Sequence, residues 1–451
     1  MSRRRLRETT LLDRVYEHVV LPPIVLQALD TAAFQRLRSL KQLGVSSFLY
    51  PGAVHTRFEH SIGVAHMARH LLLNIKRRQP DLGITDDDIN KAMLAGLYHD
   101  IGHGPFSHLF EDVITMRCGV VFNHEEMSER ISRRVLGRLL PSDDVEDIIG
   151  LMRGNCLPVT KYGEIISNKR NGIDVDRLDY FIRDSLCCFG KPTVDVRINR
   201  LFNSARLVCD GGQWQLSFEE KLAHSLRELF TLRAKLHKNV YQHHVVKAIG
   251  HMIGDVFHMA VPYFKVGGHT LPECAANDEL MLKLGDWVLE AIESSAEEKL
   301  RPARDLIARL RARDIYRLAF SRTLRPDVTL PPEWLASLSD NIVACASPSQ
   351  PVTTADFIVD LVVINQGKGR NDPLRSVLFF NPKRPSQPPS RISEEMGYSP
   401  LFTPFAYEEC TLMVFERRDT GGAVRAACER LAANDMQRTF FMHSLPFYNE
   451  A

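Results

Sequence analysis

Gly96-Leu97-Tyr98-His99-Asp100-Ile101-Gly102-His103-Gly104-Pro105 is the stretch whose reading decides the fold. Ile89, Ala92, Leu94, Leu97 and Ile101 recur at helical spacing, so one face of a helix is buried here. That helix cannot continue through Gly102-His103-Gly104-Pro105, because proline has no N–H to donate and its ring clashes with the preceding turn. His99 and Asp100 are therefore expected in its last turn. Upstream, Ile62, Ala65, Ala68, Leu72 and Ile75 predict a second one-faced helix with His60 at its beginning. Downstream, the same period predicts helices over Glu125 to Leu140, Val175 to Ser185, Glu219 to Ala260 and Asp286 to Arg313. Strand signals before residue 320 are limited to short pieces such as Arg206 to Val208. Past Arg322 the texture changes: Pro326, Pro331, Pro332, Pro348 and Pro351 precede β-branched runs at Phe357 to Ile364 and Ser376 to Phe380. The expected fold is mainly α, a helical core with a smaller C-terminal α+β lobe, divided into an arm (1–20), a core (21–322) and a lobe (323–451). Pro382 to Ser390 reads as an exposed, mobile loop, and no internal repeat is found.

The 451 residues suffice for one large domain and a smaller lobe, or for two medium domains. Apolar residues at 44% and charged residues at 25% exclude a disordered or fibrous class. Fifty-seven basic against fifty-five acidic residues, a net charge of +2, exclude a surface that coats polyanions and leave only local positive pockets. Arg3-Arg4-Arg5-Leu6-Arg7 is the one dense basic run, readable as a solvated arm or as a nucleic-acid or import signal. Nine cysteines without a C-x-x-C pair fit reduced intracellular thiols. No apolar run approaches a membrane span and the first thirty residues lack a secretory core, so no membrane contact is expected. Cytoplasm or nucleus is the expected location, with the mitochondrion open, although Glu8 and Asp13 are awkward in a transit peptide.

Four segments concentrate the metal and phosphate ligands: Arg57-Phe58-Glu59-His60, His99-Asp100-Ile101-Gly102-His103, Asn123-His124-Glu125 and Asp174-Val175-Asp176-Arg177. Imidazole and carboxylate together suit borderline divalent ions, and the adjacent His99-Asp100 pair can supply both. His60 and Asp176, from two other helices, would complete two nitrogens and two oxygens. That set leaves two positions of an octahedral ion open, one for a phosphate oxygen and one for water, as hydrolysis requires. Arg57 and Arg177 each adjoin a proposed ligand, and the guanidinium fork matches phosphate oxygens. A salt bridge from these arginines to the ligand carboxylates is the equal alternative. His103, His108 and His124 are the available acid or base.

At these residues the sequence resembles the HD-domain phosphohydrolases. Within them it is similar to the SAM-and-HD-domain-containing deoxynucleoside triphosphate triphosphohydrolases. The likeness is carried by Asp30-Thr31-Ala32-Ala33-Phe34-Gln35-Arg36-Leu37-Arg38, Tyr50-Pro51-Gly52-Ala53, Arg57-Phe58-Glu59-His60-Ser61, Gly96 to His108 and Ser167 to Asp176, with weaker matching to about Asp360. The resemblance implies an HD-domain helical core in which His60, His99, Asp100 and Asp176 hold one divalent transition metal (iron, manganese or zinc), with Mg²⁺ accompanying the nucleotide. It implies that Arg57, His103, His108, His124 and Arg177 surround the phosphates, Arg177 standing where lysine is frequent. Gln42 and Asp184 would bond the 3'-hydroxyl, and Tyr180 and Tyr241 would stack under the deoxyribose. Leu43, Arg233 and His237 complete the implied substrate set.

Activation by GTP or dNTP between subunits of a homotetramer is a further implication. Asp30, Gln35 and Arg38 fall on one activator site, and Arg200, Lys221, Arg313 and Arg317 near a second. The chain departs from the family pattern in three ways. No SAM domain is expected before residue 20, the arm reads Asp13-Arg14-Val15-Tyr16-Glu17, and Thr9 and Glu219 replace basic residues. The implied activity converts a dNTP into deoxynucleoside and tripolyphosphate, controlling dNTP pools. Its rivals are another HD phosphohydrolase, such as a 5'-nucleotidase or phosphodiesterase, and a nucleic-acid-binding protein with a vestigial site, nucleic acid being a secondary partner.

Overall fold

The computed structural model describes residues 7–154, 161–192, 198–384, 386–392, 403–433 and 440–441. It opens on a hairpin, β1 (Thr9–Asp13) and β2 (Glu17–Leu21), which the helical period did not foretell. The long helix α1 (Arg57–Arg78) follows, with α2 (Asp86–Tyr98) packed against it. Thr85 and Asp88 form a reciprocal capping box at the start of α2, and three aspartates in its first turn face the positive helix end. His99 caps the other end, so Asp100 stands just beyond the helix rather than in its last turn. Next come α3 (His124–Leu136), capped by the Asn123 side chain, and α4 (Ser142–Arg153). Helix α5 (Val175–Phe189) is capped by Asp174, whose carboxylate accepts the Arg177 amide proton.

The antiparallel pair β3 (Arg206–Asp210) and β4 (Gln213–Glu219) leads into α6 (Ala223–Leu236). The single helix expected from Glu219 to Ala260 is interrupted: a π-type turn over His237–Tyr241 and a break at Gln242-His243 separate α6 from α7 (His244–Ala260). Apolar period alone cannot see that interruption, which places His237 and Tyr241 in the site described below. The stretch expected to be helical from Asp286 to Arg313 is likewise divided, with α8 (Arg301–Arg311) as its main piece.

A three-stranded antiparallel sheet in the order β5 (Arg317–Thr323), β9 (Glu408–Glu416), β6 (Phe357–Asn365) is covered by α9 (Pro332–Ala344) and α10 (Ala423–Ala433). Short β7 (Leu378–Phe380) pairs in parallel with β4, and β8 (Ser390–Arg391) adds to its free edge within the proline-rich stretch. Residues beyond 322 thus contribute to two cores: Leu374, Val377, Phe379 and Phe415 join the large helical one, and Phe320, Leu338, Leu412 and Val424 form the smaller. Among the described residues no helix is long and apolar enough to cross a membrane.

Candidate active site

Two glycines allow the elements that carry the site to approach. A Cβ on Gly63 of α1 would collide with the Asp179 carboxylate and the Arg183 guanidinium of α5. One on Gly102 would collide with the backbone of α3 at His124 and Ser128. The loop after Pro105 turns through positive φ at Phe106 (56°) and Ser107 (63°), where L side chains are strained. Its fixings are explicit: the Phe106 amide donates to Asp286 at 2.7 Å, and the Ser107 hydroxyl donates to the Lys41 carbonyl at 3.0 Å.

Three helix ends converge on His60, His99, Asp100 and Asp176. His60 Nε2 lies 3.0 Å from Asp176 Oδ1 and 3.7 Å from Asp100 Oδ2. His99 Nε2 lies 3.4 Å and 3.5 Å from the same two atoms. The other ring nitrogens fix the tautomers. His60 Nδ1 meets the Asp179 carboxylate at 2.7 Å and His99 Nδ1 meets the Gly96 carbonyl at 2.8 Å. Both partners only accept, so each Nδ1 carries a proton, and the neutral form of each ring, the form that ligates a cation, turns its Nε2 lone pair into the site. Both Nε2 atoms are buried without a hydrogen-bond partner among the described residues. An unmet buried polar atom costs about 1–3 kcal/mol, a cost that a ligated cation removes. One ligand atom each from His60, His99 and Asp176 lie within 4.8 Å of one another, and Asp100 faces both imidazoles. The residues present therefore fit a single divalent transition ion.

Burial opposes a charged His60, but with no cation in the site the Asp176 and Asp179 carboxylates on either side of the ring outweigh that and push the imidazole up to about 10. His99 is raised as well, against burial, by Asp100 and Asp176. The same cations hold Asp176 down despite its burial. Asp100 is likewise well below the usual carboxylate range, held there by Arg57, His99 and His103. The pocket demands positive charge.

Behind His60 is a buttress that sequence reasoning missed. Asp179 accepts from Arg183 Nε at 2.9 Å and from the Tyr16 hydroxyl at 2.8 Å, and Arg183 donates onward to Asp13 at 2.9 Å. Asp13 ends β1 and Tyr16 lies in the hairpin turn, so the N-terminal arm reaches the back of the site. The four-residue spacing of Asp179 and Arg183 was the available signal, though on a helix it reads first as an exposed ion pair.

Beyond Asp100 lies a second imidazole group. The His103 and His124 rings stack at 4.0 Å, and His108 meets them edge-on at 5.0 and 5.2 Å. His124 Nδ1 is held by Glu111 at 2.6 Å, another partner the sequence did not reveal. Arg57 forms an ion pair with Asp100 while its Nε donates to Ser107 at 3.0 Å, so it belongs to both groups. Burial, Arg57 and His124 hold His103 well below its ordinary value. His108 lines the cleft with 72% of its side chain accessible, yet the enclosing protein walls, Arg57 and His124 lower it to about 4.

Residues expected at the sugar end also lie near one another. The Tyr241 hydroxyl donates to Asp184 at 2.7 Å, and His55, which was not singled out, meets the other Asp184 oxygen at 2.8 Å. Tyr180 stands edge-on to Tyr241 with centroids 6.4 Å apart, and His237 stands 5.0 Å from Tyr241. Gln42 and Leu43 line a cavity of about 450 Å³ together with His108 and Tyr241, and Gln42 Oε1 is buried without a partner. Arg177 is engaged by Asp174 at 2.6 Å and shares a narrow cleft with Arg233, whose Nη1 donates to the Asn365 carbonyl at 2.7 Å. Burial, Arg233 and His108 hold His237 down to about 3.

Among the expected activator contacts, Asp30, Gln35 and Arg38 share one surface: Gln35 donates to the Leu29 carbonyl at 2.9 Å and accepts from Arg38 at 2.8 Å. The other four are not brought together. Lys221 pairs with Glu219, Arg317 pairs with Asp419 at 3.1 Å, Arg313 donates to the Phe48 carbonyl at 2.6 Å, and Arg200 is exposed on its own short helix.

A helical core that gathers a His-Asp pair, a second histidine and a second aspartate into one cation-sized site defines an HD-domain protein, and the HD domain profile matches residues 57–183. The chain is 33% identical over 431 residues to the deoxynucleoside triphosphate triphosphohydrolase SAMHD1 homolog of Dictyostelium discoideum, covering 94% of this chain and 80% of that protein. It is 31% identical to the SAMHD1 enzyme of Gallus gallus (95% and 75% covered) and 30% identical to that of Homo sapiens (83% and 65%). The chain belongs to the SAMHD1 family of deoxynucleoside triphosphate triphosphohydrolases.

Proposed function

We propose that this chain is a metal-dependent hydrolase that cleaves a dNTP into deoxynucleoside and inorganic tripolyphosphate. The observation that carries the reading is the pair of buried, unpartnered Nε2 atoms of His60 and His99 facing Asp100 and Asp176. Those four residues would hold a transition ion, which would supply Lewis acidity at the α-phosphoryl group and lower the pKa of a bound water. Arg57, Arg177 and Arg233 take up the charge on the phosphate oxygens, and Mg²⁺ accompanies the nucleotide. Water oxygen bonds to the α-phosphorus as the bond from that phosphorus to the 5'-oxygen breaks. His108 or His124, the latter oriented by Glu111, takes the proton the attacking water loses and passes it to the departing 5'-oxygen. Gln42 and Asp184 take the 3'-hydroxyl, while Tyr180 and Tyr241 close the space a 2'-hydroxyl would need. Leu43 lines the same cleft, and His237 stands against Tyr241.

The regulatory part of the proposal places GTP or a dNTP at Asp30, Gln35 and Arg38 and assembles a homo-oligomer, with dNTP pool control inside the cell as its consequence. Because Glu219 already neutralises Lys221, the second activator position is weaker than the first. Product analysis tests the reaction: ³¹P NMR of a dGTP digest should show tripolyphosphate and chromatography the intact deoxynucleoside, whereas stepwise phosphate release would contradict it. Size-exclusion chromatography with and without GTP tests assembly; an unchanged monomer would contradict that part.

A further inference from the structure

Beyond Asn365 the chain leaves β6 as Gln366-Gly367-Lys368-Gly369-Arg370-Asn371-Asp372 and borders a cavity of about 600 Å³, separate from the catalytic cleft. Lys368, Arg370, Arg375 and Arg391 all line it, with Tyr407 beside them. Asp372, the one carboxylate among its described lining residues, is not available to balance them. Asp372 is buried and accepts from Arg227 at 3.1 Å, from the Tyr407 hydroxyl at 2.9 Å and from the Leu374 amide at 3.0 Å.

Two of the four cations are set in place by the fold. Lys368 Nζ donates to the Lys169 carbonyl at 2.9 Å, and Arg370 is tied to Glu408 at 3.3 Å and to Thr329 at 3.1 Å. The other two, Arg375 and Arg391, are exposed and have no carboxylate within 4.0 Å among the described residues. In a chain whose net charge is only +2, four cations around one open cavity concentrate the positive field there. Guanidinium forks bind phosphate oxygens bidentately, and a phosphate chain carries enough charges to meet several of them at once.

We propose that this cavity is a polyphosphate-binding site distinct from the catalytic centre, taking the phosphate chain of a nucleoside triphosphate or free tripolyphosphate. The site stands on its own charges and does not depend on the hydrolytic reading. The test is isothermal titration of the metal-loaded protein, at physiological ionic strength, with tripolyphosphate and separately with GTP. Wild type is compared with the Arg375→Glu/Arg391→Glu variant, whose thermal unfolding is measured alongside. Both positions are exposed and outside the catalytic machinery, so fold and basal dGTP turnover should be retained.

The stoichiometry of tripolyphosphate should fall by one per chain in the variant, with the lost site weakened at least a hundredfold. GTP binding tenfold tighter than tripolyphosphate at the lost site assigns it to a nucleotide; equal affinity assigns it to the phosphate chain alone. Superimposable isotherms for wild type and variant with both ligands would overturn the proposal. So would loss of single-stranded oligonucleotide binding in the variant while both isotherms stay unchanged. Absence of dGTP hydrolysis in the wild type would count against the proposed reaction and leave these isotherms untouched.

Discussion

His60 and His99 stand among Asp100, Asp176 and Asp179, whereas His103, His108 and His124 stand beside Arg57 with Glu111 holding one of them. The two groups share Asp100, whose carboxylate faces His60, His99 and His103 alike. Their surroundings nevertheless drive them apart: His60 is pushed up to about 10 and His108 down to about 4. Carboxylates turn the first group into a place for a cation. Burial and the neighbouring Arg57 hold His103 and His108 of the second group below the ordinary imidazole value. One side-chain chemistry thus serves two tasks, and the division is electrostatic.

The sharpest way to break this comparison is to remove one ligand. Asp176→Ala should abolish dGTP turnover in a steady-state assay while circular dichroism stays native; full activity would remove Asp176 from the site. His124→Ala or His108→Ala should lower kcat by about 10²–10⁴-fold with bound metal unchanged, since a positioned acid is worth that much. If neither variant slows the reaction, the second group has been misread. Asp179→Asn should weaken the metal by about 10–100-fold in a chelator competition, as expected when the carboxylate orienting a ligand histidine is lost. An unchanged affinity would make the buttress purely structural.

The smallest effect concerns pH, and its sign differs between His60 and His237. In the metal-free protein the stability contributed by His60, raised from 6.5 to about 10, is present below pH 6.5 and lost as pH climbs through 10. His237, lowered to about 3, binds a proton more readily in the unfolded chain, so its effect is to reduce stability as pH falls below 6.5. Urea unfolding at pH 5, 7 and 9 should show His60→Ala flattening the alkaline limb and His237→Ala the acid limb. The same limb flattened by both would erase the distinction.

Much of this was legible in the sequence because the local signals are strong. A helix that must stop at Gly102-His103-Gly104-Pro105 puts His99 and Asp100 at its end, and the resemblance brought His60 and Asp176 to the same place. What stayed hidden depends on long-range contact. Asp13 and Tyr16 lie more than 160 positions from Arg183 and Asp179 in sequence, and no periodicity links them. Glu111 and His55 are single polar residues whose partners appear only when chains cross. The break at Gln242-His243 lies inside a stretch whose apolar period is unbroken, so only tertiary packing discloses it. The hairpin β1–β2 is half exposed and too short to stand out from its polar surroundings.

The measurement that bears most directly on the division between the two histidine groups is elemental analysis of the purified protein, wild type beside His60→Ala and His124→Ala. One transition ion per chain should be found in the wild type and in His124→Ala, and none in His60→Ala. Two ions per wild-type chain, or loss of the ion from His124→Ala with retention in His60→Ala, would contradict it.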